Sequence, residues 1–391
     1  GCTDGANPIE GLTIDAAGNI YGATQTYSPA RGTIYELIPV PGKTRWKFRK
    51  LAGGKEISNV NGRMIFDVNG NIYGTQGSGG SKGYGAVFEL LPDGEHTRRI
   101  WKELYSFAYQ DPHGTFPDSI TYLGASSGVP YDGVSPLFGT TLDGGNSNQA
   151  GVAFALTPNG DSWDETILYT FCSQHDCKDG GRPQGLIVDG SGNLFGNAAQ
   201  GSGKRGRGVV FELQNNAGSW SEIVLHKFCE SPKCSDGAYG WQRLLPDAAG
   251  DLLGVTLWGG TGKRCCGVLF QLTPQGVDSP YNVLASFCAK RNCTDGAQPS
   301  SDLVMDTSGN LFGATETGGR YRTDQGHLGG GTVFQWTGST LETLYSFCKL
   351  RDCADGEYPV AGLVMDASGN LFGATQYGGK YGAGVVFELM P

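Results

Sequence analysis

Eight of the eleven cysteines in this 391-residue chain fall into one pattern. Cys172/Cys177, Cys229/Cys234, Cys288/Cys293 and Cys348/Cys353 each sit in F-C-x4-C-x-D-G. Two chemistries use paired thiols in this way, zinc ligation and disulfide formation. Zinc sites usually show a two-residue spacing with histidine partners, and the chain has only five His. Local disulfides are therefore expected, each closing a small loop worth roughly 2 kcal/mol in the chain-entropy view. Four stapled loops imply an oxidising compartment: secreted, periplasmic or cell-surface. Cys265 and Cys266 are adjacent in GGTGKRCCG, where they fit a vicinal bridge, a free thiol or a bridge to another chain. Cys2 matches the second cysteine of the same motif, whose first member would lie upstream. An odd total leaves at least one thiol free or intermolecular.

The second chemistry is charge. Ten of the 29 Lys and Arg residues lie in glycine-rich loops: Arg31, Lys82, Lys204, Arg205, Arg207, Lys263, Arg264, Arg320, Arg322 and Lys380. On a chain of net charge −9 this is a local basic rim able to attract an anionic polymer. The alternative is that these cations pair with the Asp of neighbouring D-G turns: Asp4, Asp179, Asp236, Asp295 and Asp355. Aromatics accompany the cations, namely Tyr27, Tyr84, Trp258, Tyr321, Tyr377 and Tyr381. They suit stacking on sugar rings, or packing between structural units. D-V-N-G-N at Asp67–Asn71 faintly resembles a calcium loop, but it lacks the spaced Glu, and Asn-Gly is also what a tight hairpin demands.

Other signals exclude functions. No Ser/His/Asp arrangement, phosphate loop or haem motif is present, so no catalytic residues, metal or cofactor are expected. The acidic balance argues against nucleic acid. No apolar run approaches the ~18 residues of a membrane span. The chain shows no signal peptide but begins inside a repeat, so upstream sequence is expected.

What must position these residues is a repeat. G-L-V-M-D, A-S-G-N, N-L-F-G-A-T-Q, a glycine-rich loop and G-V-V-F-E-L run from Gly362 to Leu389. The pattern recurs seven times, with markers at Asn19, Asn71, Pro136, Asn193, Asp251, Asn310 and Asn370. Six copies add a fourth run ending in an aromatic, such as L-E-T-L-Y-S-F. Short β-rich runs bounded by Gly, Asn and Asp are strands and tight turns. Seven units of four strands predict an all-β, seven-bladed β-propeller of antiparallel blades, the last lacking its outer strand. Blade boundaries fall near 1–52, 53–110, 111–177, 178–234, 235–293, 294–353 and 354–391, within one domain. The glycine-rich and disulfide loops should share one face, with the D-x-x-G-N hairpins on the other. Copy three is divergent, with SITYLGASSGVPYDGVSPLFGTT in place of a tight turn. Trp46, Trp101, Trp163 and Trp220, at the fourth strands, read as structural.

D-x-x-G-N-L-[FY]-G-[AT]-T, then G-G, G-x-V-F-x-L and L-Y-S-F, resembles the GloVer tandem repeat across essentially the whole chain. That resemblance implies a secreted, surface-anchored bacterial repeat protein and supplies no catalytic residues. Three functions stay open. One is a structural or assembly module that pairs head-to-tail with itself through the bare third strand of blade seven. Another is a lectin-like propeller that binds surface polysaccharide through the glycine-rich loops. A polysaccharide-active enzyme has only the versatility of the fold in its favour.

Overall fold

The computed structural model describes residues 5–390 except 26–31, 44, 55–56, 94–98, 109–112, 203–205, 262–265 and 324–328. The chain forms seven sheets in sequence order, each an antiparallel meander; in the sixth the first strand is split into Ala297–Pro299 and Val304–Met305, both paired with Leu311–Thr317. Blade four is representative: Gly181–Val188, Leu194–Gln200, Val209–Asn216 and Ser219–Lys227. Blade seven has three strands, Val364–Met365, Leu371–Thr375 and Val385–Leu389. The seven-bladed propeller expected from the repeat is the fold observed.

The repeat residues explain the blade. Asp366 shows how the hairpin between the first two strands closes. Its Oδ1 accepts the amides of Ser368 and Asn370, at 2.8 and 2.9 Å, and its Oδ2 accepts Asn370 Nδ2 at 2.8 Å. Asp15, Asp67, Asp189 and Asp306 make the same set. Asp67 thus spends its oxygens on a turn. The glycine of the second strand has a different task. A Cβ on Gly313 would lie 2.6 Å from Phe334 Cζ on the third strand, and Gly196 and Gly254 stand in the same relation to Phe211 and Phe270. The missing side chain is the space in which a fully buried ring sits.

Two devices join blade to blade. In blades two to six, the Phe that follows the fourth strand wedges against the third-strand Phe of the next blade. Centroids are 5.4 Å apart for Phe107–Phe154, 4.9 Å for Phe171–Phe211, 5.6 Å for Phe228–Phe270 and 5.0 Å for both Phe287–Phe334 and Phe347–Phe387. These are offset or edge-on contacts that add to area burial. The second device is a left-handed residue before or at the start of each first strand: Asn7, Asn59, Phe116, Arg182, Tyr239, Gln298 and Tyr358, with φ between 47° and 60°. In six of these the N–H donates to the preceding blade, as in Arg182 to Ala150 O at 2.7 Å and Gln298 to Cys266 O at 2.8 Å. Asn7 donates to Ala383 O at 2.8 Å, so the ring closes between blades seven and one by the same bond.

The four expected disulfides are formed: Cys172–Cys177, Cys229–Cys234, Cys288–Cys293 and Cys348–Cys353, with Cα–Cα distances of 3.9 to 4.1 Å. Cys177 does more than the bridge its spacing implies. It is only partly buried, and its carbonyl accepts the amides of Gly180 at 3.0 Å and Ser202 at 2.9 Å. Ser202 lies in the glycine-rich loop of blade four, so the boundary expected after Cys177 crosses a loop that is bonded forward to the next blade. The last strand of blade three ends at Thr170, and the first of blade four begins at Gly181. Cys266 is buried beside the Cys288–Cys293 bridge; Cys2 and Cys265 lie outside the described residues. The long turn of copy three is not a loose insertion. Tyr131 is fully buried, with edge-on and tilted contacts to Tyr73 and Tyr122 at 5.2 Å. Its backbone bonds to Phe66 and Val68, so the excursion caps the hairpin of blade two.

Candidate binding sites

The glycine-rich and disulfide loops do share a face, and they are bonded to each other. Gly260 N–H donates to Cys234 O, Gly319 N–H to Cys293 O and Gly379 N–H to Cys353 O, each at 2.9 to 3.0 Å. The D-G aspartates are occupied within their own loops. Asp295 accepts the amides of Ala289 and Lys290, and Asp355 those of Lys349 and Leu350. Asp179 and Asp236 do likewise. These carboxylates hold the stapled loops, and among the described residues none of them forms an ion pair with a loop cation; Asp4 lies outside the described residues.

Of the ten cations expected on this rim, Arg31, Lys204, Arg205, Lys263 and Arg264 lie outside the described residues, as does Tyr27. The other five are spread around the ring. Lys82 lies over the Tyr105 ring at 5.3 Å and Lys380 over Tyr381 at 5.2 Å. Arg320, Tyr321 and Arg322 are exposed on the blade-six loop. Tyr84 is packed against Phe116 rather than presented to solvent.

The structure does bring Arg207 and Trp258 together. They line a 740 Å³ groove between blades four and five, with Lys233, Tyr239, Trp241 and Leu257. Tyr239 is the left-handed residue of blade five, and its N–H donates to Arg207 O at 2.8 Å. The guanidinium of Arg207 returns over the Tyr239 ring at 5.1 Å and reaches its hydroxyl. Trp258 and Ala238 exchange backbone bonds at 2.8 and 3.0 Å, which fixes the indole's root while 43% of the residue stays exposed. The result is a rigid aromatic surface with cations at its edge. The sequence reading missed Tyr239 and Trp241. Their signal is Y-G-W in copy five, where five other copies place a proline after the left-handed residue.

A larger groove, 850 Å³, runs along the outer edge of blade seven toward blade one. Val385, Val386, Phe387, Phe372, Tyr35, Trp46 and Phe48 line it, with Lys380 and Tyr381 at its mouth. In blades two to six, the Phe N–H of the fourth strand donates to the glycine carbonyl before the third strand, as in Phe347 to Gly331 O at 3.0 Å. No backbone N–H among the described residues reaches the equivalent Gly384 O. Tyr35 of blade one, at the third-strand Phe position, faces the groove where other junctions place the wedging ring, and its hydroxyl has no hydrogen-bond partner among the described residues.

The third space is axial. Residues in or just before the first strands converge on a small polar cavity lined by Glu10, Arg63, Asp118, Gln184, Arg243 and Asp302. Three carboxylates tie neighbouring blades here: Glu10 Oε2 accepts Gly62 N–H at 2.8 Å, Asp118 Oδ2 accepts Gly185 N–H at 3.1 Å and Asp302 Oδ1 accepts Arg243 N–H at 3.2 Å. Burial pushes the Glu10 carboxyl up to about 8, against the Gly62 bond and helped by Asp118. Burial likewise raises Asp118 to about 6 and lowers Arg63 to about 10.

With the fold and these surfaces defined, sequence comparison places the chain. The model of the Gloeobacter/Verrucomicrobia repeat matches residues 1–176, 125–327 and 262–391. The chain belongs to this repeat family. No curated protein matches it. Among solved structures it is similar to the extracellular domain of a hybrid two-component system protein from B. thetaiotaomicron. That likeness has 11% identity and a TM-score of 0.52, over 98% of this chain and 39% of the other. It is also similar to Sqt1 from Chaetomium thermophilum, at 12% identity and TM-score 0.52, over 99% and 87%. A puromycin hydrolase matches at 14% and 0.52, over 94% and 50%. The chain thus spans about two-fifths of the first of these and half of the third. At such identities the likeness is one of fold.

Proposed function

We propose that this chain is a non-catalytic binding and assembly module outside the cell, and that its main contact is the edge of blade seven. Four disulfides support the oxidising compartment. The observation that carries the reading is the 850 Å³ apolar groove along a strand with unpaired backbone groups. An edge of this kind templates strand addition. Its occupant is an extended segment of fourth-strand chemistry, L-Y-S-F, whose Phe would meet Tyr35. That segment comes either from the part of this polypeptide leading into Ala6 or from a second copy, which would give head-to-tail assembly.

A synthetic peptide of Leu341–Phe347 tests this. Saturating peptide should raise the thermal midpoint by several degrees, since occupancy at a hundredfold above Kd is worth about 2.7 kcal/mol. A peptide with Ala in place of the final Phe should not. No shift with the parent peptide would defeat strand addition. Light scattering separates the sources: a strict monomer removes the second copy.

A second reading rests on the Arg207–Tyr239–Trp258 groove, whose aromatic faces and cations suit an acidic polysaccharide. Trp258→Ala should weaken binding to such a polymer at least about tenfold, and affinity should fall as salt rises because exposed charges are screened. Binding that ignores both changes would exclude this groove.

A further inference from the structure

The axial cavity is built for a ligand that neither surface above requires. It encloses about 180 Å³, enough for one small ring, and Trp241 forms part of its wall. Its polar groups are not all used by the fold. Gln184 is 5% exposed, and its Nε2 has no hydrogen-bond partner among the described residues. Arg63 Nη2 donates to Leu363 O at 2.9 Å, while its buried Nε has none. Each carboxylate that ties blades together commits one oxygen to an amide. The other Asp302 oxygen stands 3.9 Å from Arg63 Nη2. Unmet buried donors of this kind are costly, and native structures rarely leave them without a partner.

The mixture of charges selects the ligand. A bare anion would enter against the carboxylates of Asp118 and Asp302, beside a Glu10 carboxyl that burial keeps protonated near neutral pH. A bare cation would face two guanidiniums, Arg63 and Arg243. Nor do the carboxylates converge at the spacing of a metal site among the described residues. A hydroxyl group both donates and accepts, so vicinal hydroxyls on one ring satisfy amide and guanidinium donors beside carboxylate acceptors. An indole wall suits the apolar face of such a ring. We propose that the axial cavity is a binding site for a single neutral, polyhydroxylated ring, a monosaccharide or the end residue of a glycan, held by Gln184, Arg63 and Asp118 against Trp241.

The test is calorimetry and saturation-transfer NMR on the full chain with D-glucose, D-galactose, D-mannose and N-acetylglucosamine, beside sulfate and calcium. At least one sugar should bind with millimolar or better affinity. Gln184→Leu should weaken it about tenfold, because a buried donor is then lost. Trp258→Ala should leave it unchanged, which separates this site from the outer groove. Should Gln184→Leu fail to fold, Asp118→Asn takes its place with the same expected loss. The inference is overturned if none of the four sugars binds, if sulfate or calcium binds in preference, or if the cavity variants bind as the parent does.

Discussion

Gly313→Val is expected to lower stability by about 3 kcal/mol, although valine is the better strand former. The sign comes from packing. A Cβ at this position falls 2.6 Å from Phe334 Cζ, 2.9 Å from Cε1 and 3.0 Å from Leu303 Cδ2. Phe334 has no exposed surface and touches the Phe287 wedge from blade five, so the ring has nowhere to retreat. The cost should therefore reach the blade junction as well as the blade. Gly190→Ala is the control. Gly190 sits in a hairpin with nothing within 4 Å of its virtual Cβ and no left-handed φ, and that change should stay within about 0.5 kcal/mol. Adding Phe334→Leu to Gly313→Val should recover part of the loss, the non-additivity expected of touching residues. Denaturant midpoints of the parent, the three single variants and the double variant decide the matter. A neutral Gly313→Val, or a double variant whose losses simply add, would show that the glycine is not there to admit the ring.

That Gly–Phe pair also shows why the fold was legible. N-L-F-G-A-T and G-V-V-F are local patterns, and each blade is a local meander, so seven copies announce seven blades. The four C-x4-C loops were legible for the same reason: five residues of separation leave few partners to choose from. What the spacing did not show is where such a loop docks. Cys177 reaches forward to Ser202, a bond between loops of separate repeats that no local pattern encodes. Binding surfaces obey the same non-local physics. The groove of Arg207, Tyr239, Trp241 and Trp258 joins residues from two blades, and only Arg207 and Trp258 stand in the glycine-rich loops that drew notice. Tyr239 and Trp241 lie where the other copies keep a blade-joining turn, so their departure from Pro was the available clue. The axial residues were harder still. Glu10 and Asp302 precede an apolar strand and Arg63 and Asp118 lie within one, where a single charge reads as ordinary strand polarity. Only radial symmetry brings them within reach of one another. Of the expected basic rim, the five described cations stand on the loops of blades two, four, six and seven, and the other five lie outside the described residues.

The axial carboxylates make stability depend on pH in an unusual direction. Most structural acids favour the folded state once ionised. Asp306 is one: against a desolvation cost, bonds from Asn310 and the turn amides hold it below its ordinary range. Glu10 does the reverse. Its carboxyl is raised from 4.5 to about 8 by burial, so the folded state holds the proton more tightly than the unfolded chain does. The stabilising contribution of the protonated form is complete below about 4.5 and is lost as pH rises through about 8. Asp118 adds a smaller loss over a lower window, ending near 6. Glu10→Gln removes the Glu10 effect while keeping an oxygen that can accept the Gly62 amide now bound to Glu10 Oε2. The variant should match the parent near pH 5 and exceed it at pH 8.5. Each tenfold change in proton affinity is about 1.4 kcal/mol, and solvent at the cavity mouth screens much of it, so a gain of roughly 2 kcal/mol is expected. Glu222 is also raised to about 8 by burial, but it is common to both proteins and cancels in the difference. Urea unfolding of the pair across pH 5 to 9 supplies the measurement. Parallel curves would mean that Glu10 is ionised in the folded ring, and that the axial cavity is wetter and more charged than its geometry implies.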